Sequence, residues 1–96
     1  MPLGTKRWIF TKSVVKLERD EYGVYELLDA TDSILYIGYG KISSILLTHF
    51  EDGSHPISGA KKFSVEYTWS LEKSETRSKE ELARYHSENG KYPKFN

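Results

Sequence analysis

The sequence predicts an α+β domain: a small three-stranded antiparallel β-sheet flanked by α-helices. Three observations carry this. Two apolar segments, Gly23 to Leu28 and Ile34 to Gly38, are joined by five turn-forming residues, Asp29-Ala30-Thr31-Asp32-Ser33. So short a connection favours an antiparallel hairpin. Phe63, Val65, Tyr67 and Trp69 alternate with Lys62, Ser64, Glu66 and Thr68, the period-two pattern of a strand with one buried face. Between and after these strands, apolar residues recur at helical spacing.

The elements follow in chain order. Trp8-Ile9-Phe10 is a short apolar knot. Thr11 is suited to cap a brief helix through Leu17, with Val14 and Val15 inside it. After the polar turn Glu18 to Glu21 come the two hairpin strands, 23–28 and 34–38. Both are apolar at almost every position, which implies cover on both sheet faces. Gly40 breaks the chain, and Ile42, Ile45, Leu46 and Phe50 mark a helix from Ile42 to Phe50. Glu51 to Pro56 ends it and opens a loop. The third strand covers 62–69. A polar helix then runs from Glu75 to Glu88, with Leu82 and Tyr85 as its buried stripe and Asn89-Gly90 as its stop. Tyr92, Pro93 and Phe95 give the tail means to dock. Residues 1–22 read as a lead-in with a short helix, and 23–96 as the domain proper.

Composition removes several function classes. Ninety-six residues make one domain. Fourteen basic residues balance fourteen acidic ones, so no global positive field draws in nucleic acid or an anionic membrane. Any phosphate binding must come from a local patch. With no cysteine there is no disulfide framework, thiol nucleophile or cysteine metal site. No apolar run approaches the ~20 residues of a membrane helix. The N-terminal residues lack the apolar region of a signal peptide, so the cytoplasm is the expected compartment and no membrane partner is expected. Walker A, GxGxxG, HExxH, GxSxG and EF-hand patterns are all absent.

The hairpin carries the most specific signal. Gly23-Val24-Tyr25 and Tyr36-Ile37-Gly38 place two tyrosines eleven residues apart. Together with the helix, third strand, glutamate-bearing helix and terminal Pro93-x-x-Asn96, this resembles the GIY-YIG nuclease family over about Gly23 to Asn96. The resemblance implies a metal-dependent endonuclease fold that hydrolyses phosphodiesters with Mg²⁺ or Mn²⁺ and has DNA as partner. It implies roles for Tyr25 and Tyr36 at the attacking water, Glu81 at the metal, Asn96 at the site wall, and His49 at the end of the first domain helix. One element departs. The position of the family's phosphate-gripping arginine is Ile45, and the segment Ile42 to Phe50 holds no Arg or Lys. Weak or absent cleavage is therefore expected, with a non-catalytic nucleic-acid- or protein-binding module as the alternative. Lys41, Arg77 and Arg84 are the candidate substitute cations, with Lys41, Arg77 and Asn96 the candidate nucleic-acid contacts.

Each residue also has a plain structural reading. Tyr25 and Tyr36 suit a half-buried strand in any sheet. Ser78 to Glu81 fits a capping box, and Arg77 to Glu81 and Glu80 to Arg84 fit i,i+4 pairs on a solvated helix face. Glu80 rivals Glu81, because so few apolar residues leave the helix phase open. His49 suits a helix end, where the dipole favours it. His55 and His86 carry no assigned role.

Overall fold

The computed structural model describes residues 7–96. Along the chain these form β1 (Trp8–Ile9), α1 (Lys12–Val15), β2 (Tyr22–Leu28), β3 (Ile34–Lys41), α2 (Ile42–Leu47), β4 (Lys62–Tyr67) and α3 (Leu71–Asn89). The strands make one antiparallel sheet in the order β1-β4-β2-β3. The α+β class is as expected, but the sheet has four strands rather than three. The fourth comes from the apolar knot. Trp8 lies opposite Phe63, Ile9 opposite Lys62, and the Phe10 amide donates to the Lys61 carbonyl at 2.9 Å. Two residues are too few to display alternation, so only the pairing reveals this strand. The lead-in also supplies Phe10 and Val15 to the core.

Two helix boundaries shift for local reasons. β4 stops at Tyr67 because the chain turns sharply at Trp69, whose φ is +65°. Ser70 then caps α3, its side chain accepting from the Lys73 amide at 3.1 Å, so the helix begins at Leu71. The capping box at Ser78 does not form, since Ser78 lies in mid-helix and its Oγ donates to the Glu75 carbonyl at 2.8 Å. α2 ends at Leu47, and the Thr48 and His49 amides turn to the carbonyls three residues back. Asp20 orders the first turn of α2 from outside, accepting from both the amide and the hydroxyl of Ser44 at 2.9 Å.

Strand alternation sorts side chains between two layers. Tyr25, Leu27 and Phe63 face the larger core with Phe10, Val15, Leu35, Ile42, Leu46 and Ile57. Val24 and Ile37 face α3, against Ile34, Leu82 and Tyr85. Both faces of the hairpin are thus covered, as its continuous apolar character implies. The contact face of α3 is less apolar than expected: Ser74, Ser78 and Glu81 are its buried residues. The tail docks along β3. The Phe95 amide donates to the Leu35 carbonyl, and the Asn96 carboxamide both accepts from the Ile37 amide and donates to its carbonyl, each at 2.9 Å. Asn96 thereby does for this edge strand what a neighbouring strand does elsewhere.

Candidate functional site

The hairpin register decides where the tyrosines point. Tyr25 pairs with Gly38, and Tyr36 with Leu27, so both phenols share the face of the larger core. Their ring centroids are 6.2 Å apart. Gly38 makes room for this arrangement. A Cβ there would fall 2.5 Å from the Tyr25 hydroxyl and 2.7 Å from the Tyr36 ring. Gly23 answers a different crowding, since a Cβ would meet the Glu66 carbonyl oxygen at 2.6 Å.

Behind the tyrosines stands a buried relay. The Tyr25 hydroxyl lies 2.5 Å from Nε2 of His49, and Nδ1 of His49 lies 2.8 Å from the His55 carbonyl. A carbonyl only accepts, so Nδ1 carries the proton of a neutral ring, Nε2 accepts, and Tyr25 donates. Tyr25 is 1% exposed and His49 2%. Burial pushes the Tyr25 phenol up, with the neighbouring Tyr36 adding to the shift. Burial likewise pushes His49 down, against the opposing effect of its bond to the His55 carbonyl. The pair is a neutral hydrogen-bonded support, and a phenol held this way is a poor base. Tyr36 is less buried, and desolvation raises it too. The exposed ring of His55 meets Tyr36 edge-on at 5.3 Å.

These groups open onto a cleft of about 260 Å³ across the outer edge of β3. Tyr25, Tyr36, Ile45, His49 and His55 line it together with residues 37–39, Ser78, Leu82 and Asn96. Not one of these residues is Asp, Glu, Lys or Arg. An adjoining hollow of about 550 Å³ shares Leu82 and Asn96 and adds Lys79, Ala83 and Tyr92.

The predicted site residues therefore divide. Tyr25, Tyr36, His49 and Asn96 come together at the cleft. Glu81, Arg77 and Lys41 do not line it. Glu81 is 0% exposed, and Arg77 and Arg84 hold its two oxygens. Arg77 donates Nη1 to Oε1, and Arg84 donates Nη2 to Oε2 at 2.8 Å. Arg77 reaches on to Glu66 of β4 at 2.9 Å, and Arg84 to Glu88 at 2.9 Å. Arg77–Glu81 is the predicted i,i+4 pair, but it is buried rather than on a solvated face. Arg84 pairs with Glu81 and Glu88 in place of Glu80. Lys41 precedes α2 and sits over the Tyr22 ring, 5.6 Å from its centroid.

Two features were not legible in the sequence, one at the cleft and one on the α3 side of the sheet. His55 contributes a carbonyl and a ring through a loop that has no periodicity. Glu26, 2% exposed, sits inside an apolar strand and accepts from the Ser64 hydroxyl at 2.8 Å, with Arg7 at 3.7 Å. Desolvation pushes its carboxyl up.

The depressed His49 makes stability depend on pH. Its folded value lies below its unfolded value of about 6.5, so below that pH the unfolded chain takes the proton first. Its contribution is complete above about pH 6.5 and is lost as pH falls towards the folded value. Glu26, raised in the fold, acts in the opposite sense above about pH 4.5. The difference between wild type and His49→Gln in thermal unfolding from pH 5 to 8 isolates His49. That difference is expected to shrink towards pH 5; a difference independent of pH means that His49 has no depressed pKa.

Fold and cleft together define a small α+β domain, a four-stranded antiparallel sheet whose edge carries a Tyr/His-lined cleft. Residues 1–89 match the family model described as Domain of unknown function (DUF7508), and the chain belongs to that family. Neither a curated protein nor a solved structure matches it. Among the described residues no helix is long and apolar enough to cross a membrane.

Proposed function

We propose that this chain is a GIY-YIG-type domain in which phosphodiester cleavage is lost or residual, and that it serves as a binding module through the cleft at the β3 edge. The observation that carries this reading is that, among the described residues, no formally charged side chain lines the cleft. Phosphodiester hydrolysis builds negative charge on non-bridging oxygens, and a guanidinium is the side chain best matched to it. Ile45 offers no donor, and the candidate substitutes are committed elsewhere: Arg77 and Arg84 to carboxylates, Lys41 beside Tyr22. Glu81 does not suit a resident Mg²⁺ or Mn²⁺. Such an ion keeps several waters, and no oxygen of Glu81 reaches water.

Nucleic acid is the ligand class that the resemblance implies. Tyr36, Tyr92 and His55 offer ring faces for bases, with Lys79 at the rim. Few phosphate contacts imply modest affinity and a shallow salt slope. The uncharged lining equally favours a protein ligand as the second reading.

The test is supercoiled-plasmid nicking in Mg²⁺ and in Mn²⁺, beside fluorescence anisotropy with labelled single-stranded and duplex oligonucleotides. Wild type is expected to nick at background level and to bind an oligonucleotide more weakly after Tyr36→Ala. Ile45→Arg returns a donor of the kind whose removal costs about 10²–10³ in rate, so any regained nicking appears in that variant. Robust wild-type nicking that disappears in Tyr36→Phe overturns the loss of cleavage. No binding to any oligonucleotide moves the ligand to the protein class.

A further inference from the structure

We infer that α3 addresses the cleft through Ser78 rather than Glu81, and that the cleft takes its ligand without a protein-held divalent cation. This rests on the proposal that the cleft is a binding site, and it names how that site works.

Helix phase separates Ser78 from Glu81. Successive residues of an α-helix are rotated by ~100°. Positions 77, 81, 84 and 88 therefore share one stripe, and their side chains are linked there as Arg77–Glu81, Glu81–Arg84 and Arg84–Glu88. That stripe meets the sheet, where Arg77 bonds Glu66. Positions 78 and 82 share a neighbouring stripe, and both line the cleft. Lys79 and Ala83, rotated one step further, line the adjoining hollow with Leu82. The residues of α3 that line the cleft and the hollow are thus 78, 79, 82 and 83, none of them a carboxylate, while Glu75, one turn earlier on the same face, stays outside both linings and is engaged by Lys79 and the Tyr39 hydroxyl. Ser78 presents a hydroxyl whose proton goes to the Glu75 carbonyl, leaving its lone pairs as acceptors. With Tyr36 and His55 across the cleft, the ligand is held by hydrogen-bonding groups and ring faces without a carboxylate in the lining.

Manganese titration of the ¹⁵N-labelled protein tests this, since Mn²⁺ broadens amide signals near wherever it is held. In wild type, no saturable broadening is expected at Tyr36, Ser78, Glu81 or Asn96. Ser78→Asp adds a carboxylate to the cleft, and saturable broadening centred on Tyr36 and Asn96 is expected. Because Ser78 is nearly fully buried, Leu82→Glu carries the same test from a half-buried position on the same stripe. Wild-type broadening localised to the cleft or to Glu81 overturns the inference. So does the failure of every folded carboxylate variant to gain broadening in the cleft. Wild-type nicking without a localised Mn²⁺ site overturns the loss of cleavage but leaves this inference standing.

Discussion

Glu81→Ala is expected to destabilise the domain by about 3–5 kcal/mol, the usual cost of removing one partner from a buried ion pair. Glu81 is 0% exposed, while the side chains of Arg77 and Arg84 are 15% and 24% exposed. Removing the carboxylate leaves two poorly hydrated guanidiniums facing one another across an empty volume. Glu66 and Glu88 retain one arginine each, which places the loss nearer the lower figure. For a domain of this size each kcal/mol lowers Tm by about 4–8 °C. Urea unfolding followed by Trp fluorescence measures the loss. A solvent-facing metal ligand gives the opposite result, since surface substitutions generally stay within about 0.5 kcal/mol. A change that small in Glu81→Ala removes the staple role and returns Glu81 to consideration as a ligand.

Gly38→Ala is the second large effect, at about 1–3 kcal/mol for forcing a methyl group into packed space. Its backbone needs no positive φ; space alone requires glycine there. The new Cβ meets the Tyr25 hydroxyl and the Tyr36 ring together, and neither can retreat without moving the other. The Tyr25–His49 hydrogen bond is the expected casualty. Imidazole ¹⁵N shifts report it directly, with Nε2 losing its hydrogen-bonded position while Nδ1 keeps its bond to the His55 carbonyl. Destabilisation with an unchanged Nε2 signal means that the relay tolerates the methyl group and that the strain is absorbed elsewhere.

Much of the architecture was legible because it rests on local chemistry. The hairpin follows from two apolar runs and an Asx-rich turn, in which Asp29 accepts from the Thr31 and Ser33 amides. The third expected strand follows from alternation, which runs on to Trp69 although the strand itself ends at Tyr67, and the tyrosines share a face once the hairpin strands pair in this register. The fourth strand was not legible, since a two-residue edge has no period. His55 was not legible either, because loop backbone groups leave no mark in side-chain sequence.

Apolar runs, alternation and turn chemistry were enough to determine the set of elements whose buried faces are written in apolar residues. The phase of α3 was set by packing in three dimensions. That helix is polar almost all round, and its polar positions include a charged stripe at 77, 81, 84 and 88 and a hydroxyl pair at 74 and 78. Leu82 and Tyr85 alone are too few to orient it. Burying a carboxylate is unfavourable unless cations come with it, so a sequence reading places Glu81 in water. The fold brings Arg77 and Arg84 onto it and Glu66 behind them, and the charged stripe turns inward against the sheet. Ser78 is left to face the cleft.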